Sequence, residues 1–473
     1  MQQLGTFTTI PTQNTDQNIG TETEVDEEIF ELDAENDEDS SVLQRARLTA
    51  KKSDNNHSSS STTVRATWLF IASLAALMII IVNIKHYDRT PLIMDGGVHD
   101  SPTGSSSKDG IFAHLNLTYK NLPEPTTTLT KIAFGSCSKQ TFAPHPQWET
   151  LTLSKKYTQP DLLILAGDNV YGDCVNDTCT ALIEAYNDLG HHASFAQMVS
   201  EIPLLATLDD HDYGMGDATK NNPHKDLARG LFFDFFQLNE SGEYVGRDGV
   251  YQAREFGDYG VGNLVQILVL DTRYSRDEFL ETDDPMAPGK EEYVPDYDDE
   301  SKRMLGGDQW IWLEEQMARP ANVRIIVSSI QVLADGHGWE CWRMLPYERD
   351  RLYNLIHDSS VGTSIIVSGD RHVGGIYSKQ VNGTLLLEMT ASSWTHSIPL
   401  GAFDSTCSSP EECDEIDERR IYDLVRVNHF GSIDIDWQKS RIDLVLRQVA
   451  ATPGVFDDDS GTALQNYSFA ILE

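Results

Sequence analysis

The sequence predicts an α/β domain of alternating strands and helices, which lies behind an acidic N-terminal segment and one transmembrane helix. From Lys131 onward, apolar strand-like runs alternate with polar loops and helix-like segments, a pattern typical of layered α/β domains. Three of these runs are followed directly by acidic clusters that contain Asp168, Asp210 and Asp370. Ahead of the domain, the run 66–84 carries no charged residue.

The acidic N-terminal segment comprises residues 1–65. The formal net charge of the 473-residue chain is −38, which argues against a nucleic-acid partner because phosphate backbones are bound by Lys and Arg. Part of this excess is local, since the stretch Glu22–Asp39 contains no basic residue. We therefore expect a solvated, disordered acidic tail, which could also serve as a regulatory interaction segment.

The run Ala66–Ile84 is predicted to cross a membrane. As a helix it would be about 28 Å long at ~1.5 Å per residue, which matches a hydrocarbon core of about 30 Å. Trp68 and Tyr87 flank it in the way that interfacial anchors do. Lys and Arg are more frequent before the run than directly after it, which places the tail in the cytoplasm and the domain in a lumen or outside the cell. We therefore expect a single-pass type II membrane protein.

The cysteines and glycosylation sequons agree with that orientation. All six cysteines follow the run, as do five of the six Asn-x-Ser/Thr sequons, which suits an oxidising compartment and predicts N-glycans. The disulfide connectivity cannot be derived from the sequence, although Cys174 could pair with Cys179, and Cys407 with Cys413. The sequon asparagines after the run are Asn116, Asn176, Asn239, Asn382 and Asn466.

Residues 85–128 have the composition of a stalk, in which 113–119 could form a short strand that packs on the domain. The α/β domain is predicted to span 129–473. Within it, the acidic segment 276–302 favours an exposed insertion, and a lid over the site is the alternative. The predicted strands are 131–136, 162–166, 203–208, 264–270, 323–328, 364–368, 384–390 and 431–436. The predicted helices are 178–188, 227–238, 307–318 and 347–358.

Side chains that bind metals are concentrated at the ends of predicted strands. Asp168, Asp210 and Asp370 each follow an apolar run, and His211 and His372 lie close behind two of them. The carboxyl ends of parallel strands meet at one edge of a sheet, so we expect these clusters to form one composite site. Hard cations prefer carboxylate oxygens, and borderline cations accept imidazole. For each aspartate taken alone, a helix cap or a buried ion pair is the alternative.

Six short motifs follow one another along the chain. They are Phe134-Gly135-Ser136-Cys137, Gly167-Asp168-Asn169-Val170-Tyr171, Asp209-Asp210-His211-Asp212-Tyr213-Gly214, Leu270-Asp271-Thr272-Arg273-Tyr274, Gly307-Asp308-Gln309-Trp310-Ile311-Trp312-Leu313 and Ser368-Gly369-Asp370-Arg371-His372. In this order they resemble the alkaline phosphatase D-like branch of the calcineurin-like metallophosphoesterases, over residues 129–450. The resemblance implies an α/β/β/α sandwich of four layers, with two mixed sheets packed face to face.

The resemblance also implies a dinuclear metal centre. Ordinary members open with Asp-x-His at the first strand, whereas in this branch a cysteine takes that place, here Cys137. The first ion would be held by Cys137, Asp168, Tyr171 and His372. Thiolate and phenolate ligands together suit Fe(III). Asp168 would bridge to the second ion, calcium or another divalent cation, which Asp210 and Asp370 would help to hold.

One departure from the family pattern concerns the second ion. After Asp-His-Asp-Tyr-Gly, the family continues with an Asn two residues later, and this chain has Gly216 there. If that Asn serves the second ion, the second site of this chain is weaker. Asn221 and Asn222 are candidate substitutes.

The sequence therefore predicts a membrane-anchored phosphatase that hydrolyses phosphate esters by a metal-bound hydroxide. His211 is the candidate general acid for the leaving group, or alternatively it orients a carboxylate. Arg273 and Arg371 could contact phosphate, although a structural pair with Asp271 is favoured for Arg273. The alternatives to this function are a phosphodiesterase that uses the same site and a catalytically decayed luminal or cell-surface binding protein.

Overall fold

The computed structural model describes most of the chain after residue 109. The described residues are 110–141, 145–238, 244, 247–285, 287, 289–359, 361–399, 415–450, 452 and 455–472. The predicted tail, the predicted membrane span 66–84, most of the stalk, and Cys407 and Cys413 lie outside them. Within the described ranges, no helix is both long enough and apolar enough to cross a membrane.

Strands and helices alternate along the described part of the chain, as the sequence predicts. The strands are β1 Lys131–Gly135, β2 Leu162–Ala166, β3 Leu204–Thr207, β4 Gln252–Phe256, β5 Val265–Val269, β6 Leu280–Glu281, β7 Tyr293–Val294, β8 Val323–Val327, β9 Thr363–Ser368, β10 Gly374–Val381, β11 Thr384–Ala391, β12 His429–Asp436, β13 Arg441–Gln448 and β14 Ala463–Ala470. The helices are α1 Pro146–Leu153, α2 Thr180–His191, α3 Ala193–Glu201, α4 Asp210–Tyr213, α5 Lys225–Phe235, α6 Gly306–Met317 and α7 Pro346–Asp358.

Two mixed sheets of six strands form the centre of the domain. Their strand orders are β14-β13-β12-β1-β2-β3 and β10-β11-β9-β8-β5-β4. The strands β1, β2 and β3 pair in parallel, as do β11, β9, β8 and β5, and the outer strands pair antiparallel. Parallel strands are covered on both faces, which explains the continuous apolar runs in the sequence.

Three apolar clusters show how the sheets and helices pack. Because side chains alternate between the faces of a strand, Ile164 of β2 points into a cluster between the two sheets while Leu163 packs on the helices outside. The cluster between the sheets joins Phe134 and Ile164 to Ile267 and Ile325 of the second sheet. The outer clusters pack the first sheet against Trp148, Leu182, Phe195 and Phe232 of α1, α2, α3 and α5, and the second against Trp310, Leu313 and Leu352 of α6 and α7.

The predicted strands after residue 129 are confirmed, with ends that differ by one or two residues. The predicted strand at 113–119 is wrong. It begins with a 3₁₀ turn, and the left-handed backbone of Asn116 at φ 52° interrupts any extended run. The segment nevertheless packs on the domain, because Leu115 and Tyr119 contact the apolar cluster under the helices.

Candidate metal centre

Four of the predicted metal ligands have unusual backbone conformations. Cys137, Asp168, Asp370 and His372 all lie in the left-handed region, with φ values of 60°, 48°, 73° and 54°. Each follows the carboxyl end of β1, β2 or β9. Such conformations cost non-glycine residues of order 1–3 kcal/mol each and persist where the surrounding structure enforces them, typically at functional sites.

Hydroxyl groups of two serines hold these loops against one another. The Ser136 hydroxyl accepts a hydrogen bond from the Asp370 backbone N–H at 3.2 Å, which joins the end of β1 to the end of β9. Ser392, after β11, accepts from the His372 backbone N–H at 2.7 Å and lies 3.2 Å from the Cys137 sulfur. Gly369 must be glycine here, because a Cβ would lie 2.4 Å from the Ser136 Oγ.

A first group of ligand atoms comes from the ends of β1, β2 and β9. Cys137, Asp168 and His372 each offer one atom, and these atoms lie within 4.8 Å of one another. The Tyr171 hydroxyl is 2.9 Å from His372 Nε2 and 3.3 Å from Asp168 Oδ2. The structure thus brings together the four residues predicted for the first ion.

A second group consists of carboxylates alone. Asp209, Asp210 and Asp370 offer oxygens that also lie within 4.8 Å of one another. Asp168, Asp210 and His211 form a third group by the same measure, so Asp168 is adjacent to both of the others. This arrangement is compatible with the predicted bridging position of Asp168.

The charges of these groups fit a bound cation. Burial, and next the charges of Cys137 and Asp210, raise the pKa of Asp168 well above its usual value. Burial and the charge of Asp209 do the same to the pKa of Asp370. The Asp209 Oδ2 atom is buried and lacks a hydrogen-bond partner in the described part of the chain. Buried carboxylates without a counter-charge are costly, and a cation among them would remove that cost.

The chemistry of the first group also fits a metal ion. Burial lowers the pKa of His372 well below its usual value, so its imidazole is neutral and keeps a lone pair for coordination. Burial raises the pKa of the Cys137 thiol to about 12. A thiol in such a setting becomes a thiolate only beside a strong positive charge, and a coordinated metal supplies one.

Arg273 is enclosed in a buried ion-pair network. It is fully buried, its Nε donates to Asp209 Oδ1 at 2.5 Å, and its Nη1 donates to Glu340 Oε1 at 2.7 Å. Asp210 lies 3.8 Å away, and Arg276 also pairs with Glu340. The predicted structural role agrees with this arrangement, but the Asp271 carboxylate is not the partner of the guanidinium: it accepts from the backbone N–H of Arg273.

Arg371 is less constrained than Arg273. It lies between Asp370 and His372 in the chain, is 8% exposed, and forms an ion pair with Glu415. Its guanidinium is 5.8 Å from the centre of the Trp339 ring. Its Nε is buried and has no hydrogen-bond partner among the described residues, which leaves a donor available beside the metal groups.

His211 lies at the exposed edge of the centre. Its Nδ1 is 3.0 Å from Asp173 Oδ1, its ring packs 4.1 Å from the Tyr171 ring, and its side chain is 25% exposed. Burial opposes protonation, yet Asp210 and Asp173 raise the pKa of His211 well above its usual value. A disulfide joins Cys174 to Cys179 directly after this loop, and Cys137 and Cys341 are free and buried.

The residues around Gly216 and two further histidines have contacts of their own. Gly216 is exposed, the Asn221 amide donates to Glu278, and the Asn222 amide donates to the Tyr213 carbonyl. His337 is buried against Gln331. His396 does approach the centre, with its Nε2 3.4 Å from the Tyr171 hydroxyl.

Sequence reasoning missed three residues that build the centre. Asp209 was visible in the acidic cluster of Asp210, and Asp173 as an acid close to Tyr171, but neither was given a role. Ser392 carried no signal, because its importance comes only from its contacts with Cys137 and His372.

Two mixed sheets gather carboxylates, imidazoles and a thiol at their strand ends, an arrangement suited to metal-dependent hydrolysis of phosphate esters. A family model described as PhoD-like phosphatase matches residues 132–446. The chain therefore belongs to the PhoD-like phosphatase family, a family of phosphoric ester hydrolases.

One curated protein and several solved structures are similar to this chain. Alkaline phosphatase D of Bacillus subtilis (strain 168) is 21% identical over 295 residues, which cover 54% of this chain and 48% of that protein, so the chain spans about half the length of the curated relative it matches. A solved structure of PhoD has a TM-score of 0.57 at 15% identity, covers 74% of this chain and 72% of its own, and shows the shared fold. A structure of GAP50, the anchor in the inner membrane complex of Plasmodium, has a TM-score of 0.44 at 11% identity over 73% of this chain and 90% of its own.

Proposed function

We propose that this protein is a phosphatase that hydrolyses phosphate esters at a dinuclear metal centre. The observation that carries the proposal is the sharing of Asp168 and Asp210 between neighbouring ligand groups at the ends of four strands. Carboxylates shared by two ions about 3.5–4 Å apart are the common feature of two-metal hydrolysis.

The two ligand groups differ in a way that suggests different ions. Cys137, Tyr171 and His372 offer sulfur, phenolate and imidazole donors that suit Fe(III), with Asp168 as the bridge. Asp210 and Asp370, joined by Asp209, offer carboxylate oxygens that suit calcium or another divalent cation. Gly216 contributes no side chain, yet three carboxylates remain for the second ion. Bound ions would neutralise the phosphoryl group and lower the pKa of the attacking water.

His211 is proposed as the general acid for the leaving group. Asp173 holds its Nδ1, which leaves Nε2 as the nitrogen that can donate a proton. The position at the exposed edge of the centre is suitable for an alcohol that departs toward solvent. Protonating the leaving oxygen is important for alkyl phosphates, whose alkoxides are poor leaving groups.

Arg371 is proposed to bind the phosphoryl oxygens. Arg273 is occupied by carboxylates, whereas the buried Nε of Arg371, next to Asp370 in the chain, has no hydrogen-bond partner in the part of the chain that the structure describes. Guanidinium groups bind phosphate through paired, directional hydrogen bonds. Glu415 and Trp339 would hold the Arg371 side chain in place between turnovers.

The test of the function is metal analysis of the purified protein combined with hydrolysis of a monoester and a diester. We expect iron and a second metal in active protein, and loss of both metals and activity in Asp168→Asn. Ser154→Ala, at a hydroxyl far from the ligand groups, is the matched control and should retain both. Active protein without either metal would refute the centre, and metal-loaded protein without hydrolysis would favour a binding protein. Faster diester hydrolysis would favour a phosphodiesterase.

We further propose that the segment 66–84 anchors the protein as a single-pass type II membrane protein. The tail, 1–65, would lie in the cytoplasm. The stalk, 85–128, would connect the anchor to the catalytic domain, 129–473, in a lumen or outside the cell. The disulfide supports an oxidising compartment. The four sequon asparagines that are described are all exposed, as glycosylation requires: Asn116, Asn176, Asn382 and Asn466.

Glycosidase treatment of the membrane fraction tests this topology. We expect glycosidase treatment to decrease the apparent mass, and to decrease it less for Asn382→Gln. In a protease-protection experiment, a tag on residue 1 should be cleaved only after the cytoplasmic face is exposed to protease. An unglycosylated chain, or one recovered without membranes, would refute the proposed localisation.

A further inference from the structure

The Asp212 carboxylate joins the two loops that carry the shared ligands. The backbone N–H of Asn169, which follows Asp168 in the chain, donates to both Asp212 oxygens, at 3.2 and 3.1 Å, and the Asn169 side-chain amide donates to Oδ2 at 3.0 Å. The backbone N–H of Asp209, which precedes Asp210, donates to the same Oδ2 at 3.1 Å. The loop after β2 and the loop after β3 therefore meet at one fully buried side chain.

A local role explains only part of these contacts. Asp212 belongs to the capping box at the start of α4, which accounts for its hydrogen bond with the Asp209 backbone. Asn169 lies 43 residues away in the chain, beyond the end of β2, yet it also donates to Asp212 from both its backbone and its side chain. The Asn169 amide donates as well to the Thr207 carbonyl at the end of β3, at 2.8 Å, which connects the two loops a second time.

The hydrogen-bonding groups around the Asp212 oxygens, among the described residues, are all donors. Besides Asn169 and Asp209, the Tyr186 hydroxyl of α2 donates to Oδ1 at 3.2 Å. A carboxylate offers only acceptors and suits these surroundings, whereas an amide would turn its NH2 group toward donors in either orientation. Asn at this position therefore has nearly the same shape but breaks the connection between the loops.

This connection affects the two ions differently. The four ligands assigned to the first ion come from the loops after β1, β2 and β9, and none comes from the loop after β3. The group of Asp168, Asp210 and His211 draws on the loops after β2 and β3 together, so it depends on the spacing between them. Movement of one loop against the other would separate the second ion from the bridging carboxylate and leave the ligands of the first ion together.

We propose that Asp212 is a positioning residue that fixes the spacing between Asp168 and Asp210 and thereby retains the second metal ion. The inference rests on the proposed dinuclear phosphatase, and it adds a residue that acts on the second ion through the ligands of that ion. Groups that hold metal ligands in place typically contribute about 10- to 100-fold to metal affinity. We expect an effect of that size on the second ion and none on the first.

The test is metal analysis of the full chain, with and without Asp212→Asn, at increasing concentrations of a chelator. Asp210→Asn lacks a ligand assigned to the second ion and keeps all four of the first, so the element that it loses identifies the second ion. Asp212→Asn should bind that element roughly 10- to 100-fold more weakly and retain the other element as the wild type does. Its phosphatase activity should recover when the second metal is added in excess, which damage to the fold would not allow.

Tyr186→Phe is the matched control, because it removes one donor to the same carboxylate and leaves both ligand loops attached. It should keep the wild-type affinity for both elements. Asn169→Ala removes the amide and keeps the backbone N–H, so it should weaken binding of the second ion less than Asp212→Asn does. Asn169→Ala decides the test if Asp212→Asn does not fold.

Unchanged affinity for the second element in the deciding variant would overturn the inference. Equal loss of both elements, or the same loss in Tyr186→Phe, would overturn it as well. These outcomes leave the wild-type centre and its phosphatase function in place. A wild-type chain that binds fewer than two metal ions, or that hydrolyses no phosphate ester, would overturn the proposed function and this inference with it.

Discussion

Replacing Arg273 by Met should destabilise the domain without directly removing a substrate contact. The guanidinium is fully buried and compensates Asp209 and Glu340, with Asp210 3.8 Å away. Met has a similar length and no charge, so Arg273→Met leaves Asp209 buried without this counter-ion, while Glu340 keeps its ion pair with Arg276. Removal of one member of a buried ion pair typically costs about 3–5 kcal/mol, because the remaining charge keeps its desolvation penalty.

The expected shift of the melting temperature follows from the size of the domain. For roughly 340 ordered residues, the entropy of unfolding near the midpoint is about 0.7 kcal/mol/K. A loss of about 4 kcal/mol therefore lowers the midpoint by about 6 °C. The assay is thermal unfolding of the metal-loaded protein, followed by fluorescence of its tryptophans and checked by calorimetry.

Arg371→Met is the informative comparison, because that side chain is also largely buried but forms an ion pair only with Glu415 among the described residues. It should raise KM and the inhibition constant of inorganic phosphate by about 10- to 100-fold, in line with loss of a charge-assisted contact of about 1.5–3 kcal/mol. An unchanged midpoint in Arg273→Met, together with weaker phosphate binding, would refute the structural role of Arg273. Arg273 would then be the arginine that binds phosphate, in place of Arg371.

Three further outcomes are expected. Cys137→Ser should fold but lose the thiolate that favours iron. Metal analysis should show at least a tenfold lower iron content, and activity should fall roughly in proportion to it. Asp173→Asn weakens the hydrogen bond that holds His211, and should slow an alkyl phosphate about tenfold more than 4-nitrophenyl phosphate, whose leaving group needs little protonation; equal losses on both esters would contradict the acid role. Replacing Cys174 and Cys179 by Ser together opens a short loop and should cost about 2 kcal/mol, seen as a midpoint lower by about 3 °C, and an unchanged midpoint would show that the disulfide is dispensable.

The central strands could be predicted because their sequence signal is strong. Strands such as β2 are buried along their whole length, and their apolar runs end abruptly at polar turns. The outer strands β4, β10, β13 and β14 were missed, because one face of each is polar or exposed. In β14, exposed and partly buried residues are mixed, and its pairing with β13 is what makes it a strand.

The candidate site could be predicted only in part. Cys137, Asp168 and His372 stood out because they follow apolar runs in motifs that occur in a fixed order. Asp209 did not stand out, because its role depends on contacts with Arg273 and Ser329, which lie 64 and 120 residues away in the chain.

The sequence by itself determined the class of fold, the edge of the sheets where the chemistry lies, and most of the side chains that gather there. Local apolar periodicity and residue type are sufficient for this, because they set which segments are buried and which side chains follow them. Only the tertiary structure decided which charged groups meet: Arg273 is enclosed by carboxylates, whereas the Arg371 Nε has no hydrogen-bond partner among the described residues. Electrostatic interactions depend on distance and burial in three dimensions, and neither can be read from positions along a chain.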